Sequence, residues 1–162
     1  MRELLSFPNP VNDTSARIVA GSVVVLAVAT LAFQQGWLLP VLAYGFVARA
    51  LTGPTLSPLA ALATRVVTPR LAIRHRYVPG PPKRFAQAVG AAFTTSAALL
   101  YYAAGLHTAA FVLVGIVAGF ATLEAALGLC VGCQAFYLGM RLGLVPPAVC
   151  EDCVRIIARS SA

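Results

Sequence analysis

The stretch Ile18-Val19-Ala20-Gly21-Ser22-Val23-Val24-Val25-Leu26-Ala27-Val28-Ala29-Thr30-Leu31-Ala32-Phe33 holds no charged residue. Such a run reads as the core of a membrane-crossing helix, since a span needs about 20 mostly apolar residues. Composition agrees: 59% of the chain is hydrophobic and only 10% charged, far from the balance of a water-soluble domain. Ala27-Val28-Ala29 resembles a small-residue cleavage site of a signal peptide. The run starts late, however, and a second follows almost at once, so an uncleaved span over 18–33 is expected.

Outward from that run, Gln34-Gln35-Gly36 makes a polar turn, and Trp37 suits a membrane–water boundary. A second span covers 37–51, with Arg49 near its end either snorkelling to the interface or marking a re-entrant segment. The segment 52–84 breaks at Gly53-Pro54, Pro58, Pro69 and Pro79-Gly80-Pro81-Pro82. Between those breaks, Leu59 to Val67 can lie as a short interfacial helix. Spans at 85–106 and 109–131 follow, then a C-terminal helix and tail over 134–162. Asp13-Thr14-Ser15 offers capping side chains for the first helix. His107 sits alone in the outer turn and reads as an interfacial polar group.

The net charge is +7, and its placement decides its meaning. Arg65, Arg70, Arg74, Arg76, Lys83 and Arg84 fall in one segment with no acid between them. That is a cytoplasmic loop by the positive-inside rule, not the aromatic-interleaved face of a nucleic-acid binder. Arg2 and Arg17 before the first span, and Arg141, Arg155 and Arg159 after the last, put both termini on the same side. The expected fold is all-α: one domain over 1–162, an integral membrane four-helix bundle of two transmembrane hairpins, with a basic cytoplasmic loop and a cysteine-containing cytoplasmic C-terminal tail. Gly115-x-x-x-Gly119, Gly128-x-x-x-Gly132 and Gly139-x-x-x-Gly143 offer small-residue grooves for close helix approach.

Every cysteine of the chain belongs to one of two C-x-x-C pairs, Cys130/Cys133 and Cys150/Cys153, with residues 134–149 between them. This spacing fits a closed zinc site of four thiolates, and each pair alone fits dithiol chemistry. A cytoplasmic position keeps ordinary thiols reduced, which disfavours a permanent disulfide. Cys130 and Cys133 share a helix face, but a lowered thiol pKa needs a helix to begin there, which requires Gly128 or Gly132 to break the fourth span. Exchange between the pairs needs the tail to fold back, with Glu151-Asp152 facing a soluble partner. Glu124, the carboxylate inside a span, is paired with Arg49 as an intramembrane ion pair, with a proton relay as the other reading.

The chain resembles the uncharacterised bacterial membrane family known as domain of unknown function 4395. The resemblance rests on Pro10-Val11-Asn12 with Ala16-Arg17, Arg49-Ala50-Leu51-x-Gly53-Pro54 with Ser57-Pro58, and Pro82-Lys83-Arg84-Phe85-Ala86-Gln87. Leu123-Glu124-Ala125 and Cys130-x-Gly132-Cys133 with Cys150-x-x-Cys153 complete it. It covers nearly the whole chain and implies a small integral membrane protein of the bacterial cytoplasmic membrane, with no activity attached.

The functional expectation is a thiol–disulfide or sulfur relay at the cytoplasmic face. Its site is Cys130, Cys133, Cys150 and Cys153, and its partner is a thioredoxin-like or sulfurtransferase protein. No resident cofactor is expected, with zinc on the same four cysteines as the alternative. A small-solute transporter is the third reading; beyond Glu124 and Arg49 it has only hydroxyls such as Thr94, Thr95 and Ser96 to line a path.

Overall fold

The computed structural model describes residues 9–70 and 77–153. Arg2, Arg74, Arg76, Arg155 and Arg159, which carry part of the orientation argument, lie outside the described residues. The structure is mainly helical, with α1 (Asp13–Phe33), α2 (Leu38–Thr52), α3 (Pro58–Leu62), α4 (Thr68–Arg70), α5 (Gly80–Tyr102), α6 (His107–Leu127) and α7 (Val131–Arg141). A wide π-type turn, Ala63–Val67, joins α3 to α4. The all-α expectation needs one addition. Two short strands, β1 (Val11–Asn12) and β2 (Tyr77–Val78), pair antiparallel and tie the start of the chain to the end of the loop.

α1 begins five residues before the apolar run, because Asn12 and not the following residues caps it. The Asn12 side chain accepts from the N–H groups of Thr14 and Ser15 at 3.0 and 3.4 Å, and Asp13 in the first turn suits the helix dipole. The helix closes on Gln34 at φ 48°. α5 opens on Pro81 and Pro82, whose fixed φ and missing N–H suit a first turn. The short segment expected at Leu59–Val67 is present as α3 and the π-type turn, and α4 just after it is held to α1 by a 2.8 Å hydrogen bond between the Ser15 and Thr68 hydroxyls.

The long helices gather at one pole through their ends. Lys83 at the start of α5 contacts Asp13 at the start of α1 and Glu124 near the end of α6. Arg84 donates to the Ala50 carbonyl near the end of α2 at 3.0 Å. Arg17 donates to the Ala126 carbonyl at 2.8 Å, supplying a partner that the end of α6 lacks. At the other pole Tyr101 stacks on His107 with ring centroids 4.3 Å apart.

The core between these poles is built from Val23 and Ala27 of α1, Leu39, Leu42 and Phe46 of α2, Ala97 of α5, and Ala110, Val114, Val117 and Ala121 of α6. Its many alanines let backbones approach closely. The groove expected at Gly115 and Gly119 makes no close approach, since a Cβ at either would meet nothing within 4 Å. α1 and α6 are long and apolar enough to cross a membrane, each with mean hydropathy 2.1. Only 28% of each apolar window is buried, whereas the core helix of a water-soluble domain hides most of its apolar side chains. α2 is apolar but shorter.

Candidate thiol site

The fourth apolar run does not continue through the cysteines. Gly128 adopts φ 69° and ends α6, a conformation open to glycine and strained for residues with a Cβ. Leu129 and Cys130 are not helical, and a new helix, α7, starts at Val131. Cys130 is therefore the residue before a helix: its backbone is extended and its Sγ accepts from the N–H of Cys133 at 3.4 Å. The break that a lowered thiol pKa requires is supplied by Gly128.

Gly132 sets where α7 lies. A Cβ there would come within 2.6 Å of both Cα and Cβ of Ala86, so the first turn of α7 rests directly on the α5 backbone. Further along, the Phe85 and Phe136 rings meet with centroids 5.7 Å apart. This contact buries both sulfurs: Cys130 and Cys133 are buried and unbonded to each other.

Electrostatics separate the two thiols. Sharing a hydrogen bond with Cys133 lowers the Cys130 pKa, helped by the Lys83 charge and the Cys133 backbone N–H, while burial and Glu124 work the other way. The same shared proton, with burial, pushes the Cys133 thiol up. Of the two, Cys130 is therefore the more acidic thiol and Cys133 the less.

Lys83, assigned from sequence to the basic loop, is the cationic centre of this pole. Its Nζ lies 2.6 Å from Glu124 Oε1 and 3.1 Å from Asp13 Oδ1, with all three side chains mostly shielded from water. The expected Glu124–Arg49 ion pair is not made. The reason is positional: α5 brings Lys83 to the carboxylate first, while the Arg49 Nε donates to Gln87 Oε1 at 2.9 Å and its Nη1 to Ser57 Oγ at 3.4 Å. The Arg49 guanidinium also stacks over the Phe46 ring at 4.6 Å. A cavity of about 310 Å³ joins these groups, with Cys130, Glu124, Gln87 and Arg49 in its wall. A second cavity of about 450 Å³ shares Arg49 and Gln87 and reaches Lys83.

The tail folds back onto α7. Cys150 and Cys153 are joined in a disulfide with Cα atoms 5.3 Å apart, within the range of roughly 4.4–6.8 Å that such a bond accepts. The disulfide is buried against Phe136. The cytoplasmic position expected from the sequence disfavours a permanent disulfide, yet one turn of chain holds the second pair at bonding separation. Tyr137 packs against the disulfide cluster, and burial raises its pKa.

Among the described residues no group of three or more His, Cys, Asp or Glu side chains is arranged to hold a metal. With Cys150 and Cys153 bonded to each other, the four-thiolate arrangement is not the one adopted. The sequence reading missed Lys83, Asp13, Gln87 and Tyr137. Pro81-Pro82-Lys83 held a usable signal: a lysine in a first turn opposes the helix dipole and calls for a carboxylate beside it.

The family model described as Domain of unknown function (DUF4395) matches residues 11–141. No curated protein matches the chain. No solved structure matches it either.

Proposed function

Since the chain belongs to the DUF4395 family, whose function is unknown, we propose from the geometry that it is a thiol–disulfide relay of the bacterial cytoplasmic membrane. In this reading α1, α2, α5 and α6 all cross the bilayer, both termini are cytoplasmic, and the thiol pole faces the cytoplasm. The observation that carries the proposal is Cys130, a buried sulfur capping a newly started helix with its partner Cys133 one turn away.

The outer pair meets the partner, and because both sulfurs are buried against Phe136 the tail must lift for the attack. A thiolate of a soluble thioredoxin-like protein attacks the Cys150–Cys153 disulfide, giving a mixed disulfide. The partner's second thiol then breaks that bond, leaving the partner oxidised and Cys150 and Cys153 as thiols. Those thiols reduce the inner pair in the same way whenever Cys130 and Cys133 are joined. α7 supports this route because Cys130 and Cys133 stand at its start and its Phe136 packs against the disulfide of the tail. Glu151 and Asp152 stay exposed between the outer sulfurs.

The test is trapping. A thioredoxin-like protein lacking its second cysteine is expected to accumulate as a mixed disulfide on Cys150 or Cys153. With Cys133→Ser, an internal disulfide is expected between Cys130 and the outer pair. Reduction of the protein by small thiols alone, with neither adduct formed, would overturn the relay. Sulfur in place of electrons would show as an extra sulfur atom on Cys130 by mass spectrometry.

A further inference from the structure

A relay needs somewhere for its electrons to go, and the cavity beside Cys130 describes an acceptor. Its wall is largely apolar and includes Phe46, Phe85, Phe93 and Phe120. Phe85 and Phe120 are also exposed on the outside of the bundle, so the cavity reaches the surface that a bilayer would cover. At about 310 Å³ it sits at the lower end of ligand pockets, which run roughly 300–1,000 Å³. It has room for a one- or two-ring head group.

The polar groups in this wall are few and convergent. Arg49 is buried, and its Nε and Nη1 use neutral partners. Glu124 in the same wall is held by Lys83. A buried guanidinium bonded to neutral partners in the wall of a cavity suits a neutral carbonyl that gains negative charge during reaction. A hydrated anion such as sulfite would lose its water against four phenyl rings, which is costly.

We propose, resting on the relay reading, that this cavity binds the head group of a lipid-soluble quinone, with a ring carbonyl accepting from Arg49 and the ring beside the Cys130 sulfur. The Cys130 thiolate, the Cys133 thiol, one quinone and one proton from solvent give the Cys130–Cys133 disulfide and one hydroquinone. The S–S bond forms as the sulfurs lose two electrons. The two protons on the hydroquinone oxygens come from Cys133 and from water. Arg49 holds the oxyanion formed on the way, and the outer pair then reduces the inner disulfide.

The full chain in lipid nanodiscs, reduced and freed of reductant without oxygen, is mixed with decylubiquinone, whose substituted ring resists irreversible addition of thiols. The expected result is loss of the quinone ultraviolet band with closure of the Cys130–Cys133 bond. Cys130→Ser abolishes this loss. Arg49→Gln raises the quinone concentration for half-maximal rate about tenfold, as losing a hydrogen bond from a charged donor does, and Arg49→Lys recovers part of it. A measurement on the unaltered protein stands beside these variants: a redox-inert quinone analogue should protect Cys130 from a membrane-permeant maleimide.

No quinone loss and no protection, with mixed disulfides still trapped on the outer pair, overturns the quinone and leaves the relay. Quinone reduction without any trapped mixed disulfide leaves the cavity assignment and removes the relay. Faster oxidation by tetrathionate than by quinone, unaffected by Arg49→Gln, also overturns it.

Discussion

Replacing Gly132 by alanine probes the contact on which the site rests. The new Cβ would lie 2.6 Å from the Cα and Cβ of Ala86, while carbon atoms prefer about 3.5–4.0 Å. The first turn of α7 must therefore move away from α5 by about 1 Å, and rotamer changes cannot relieve a clash with backbone. Overpacking of this kind costs about 1–3 kcal/mol. Alanine's better helix propensity returns at most about 1 kcal/mol, so the net loss is about 0–2 kcal/mol. The functional effect is larger, because a displacement of 1 Å at a reacting group can slow a step by about a hundredfold.

Thermal unfolding in nanodiscs reads the first quantity, and the rate at which the reduced inner pair closes to a disulfide reads the second. A small drop in stability with a large drop in rate is expected, partly recovered by adding Ala86→Gly, which removes one of the two clashing carbons. A Gly132→Ala protein that unfolds and reacts like the parent would refute the claim that α7 is seated on Ala86.

Other outcomes follow from the same pole. The Cys130 pKa is lowered in the folded chain. Its thiolate reactivity, and the stability it lends, should be complete above the ordinary thiol value of about 8.5 and vanish as pH falls through the lowered folded value. Alkylation rate against pH should accordingly give a midpoint below that ordinary value, and Lys83→Met should move it upward. Lys83→Met should also destabilise the fold by about 3–5 kcal/mol by stranding two shielded carboxylates. Adding Asp13→Asn and Glu124→Gln should recover much of that loss, as read by unfolding midpoints. Asn12→Ala should cost about 1 kcal/mol through loss of the α1 cap, read in the same way. Impermeant maleimide applied to each side of sealed membranes after reduction should label Cys150 and Cys153 from the cytoplasmic side; labelling from outside reverses the proposed orientation.

Much of this architecture is readable from periodicity and punctuation. The apolar runs place helices α1, α2, α5 and α6 to within about five residues, but the fourth run reads on to 131 and leaves Gly128 and Gly132 as equal candidates for a break, which only the positive φ of Gly128 decides. The errors share a cause: partners set by tertiary approach leave no local trace. Depth along the span assigns Glu124 to Arg49, but the angular placement of α5 decides the pairing and gives it to Lys83. Lys83 itself hides in a run of basic residues that looks like a uniform loop. Compartment argues against a disulfide, whereas its formation here follows from one turn of backbone and a packing partner, Phe136, far off in sequence.

Lys83 holds carboxylates from two other helices with one ammonium. Three segments of the chain are thereby fastened at a single rivet, and that rivet also feeds charge to the reactive sulfur. Any event that neutralises Glu124 would loosen α6 and retune Cys130 in the same instant, so structural integrity and chemical readiness at this pole cannot vary independently.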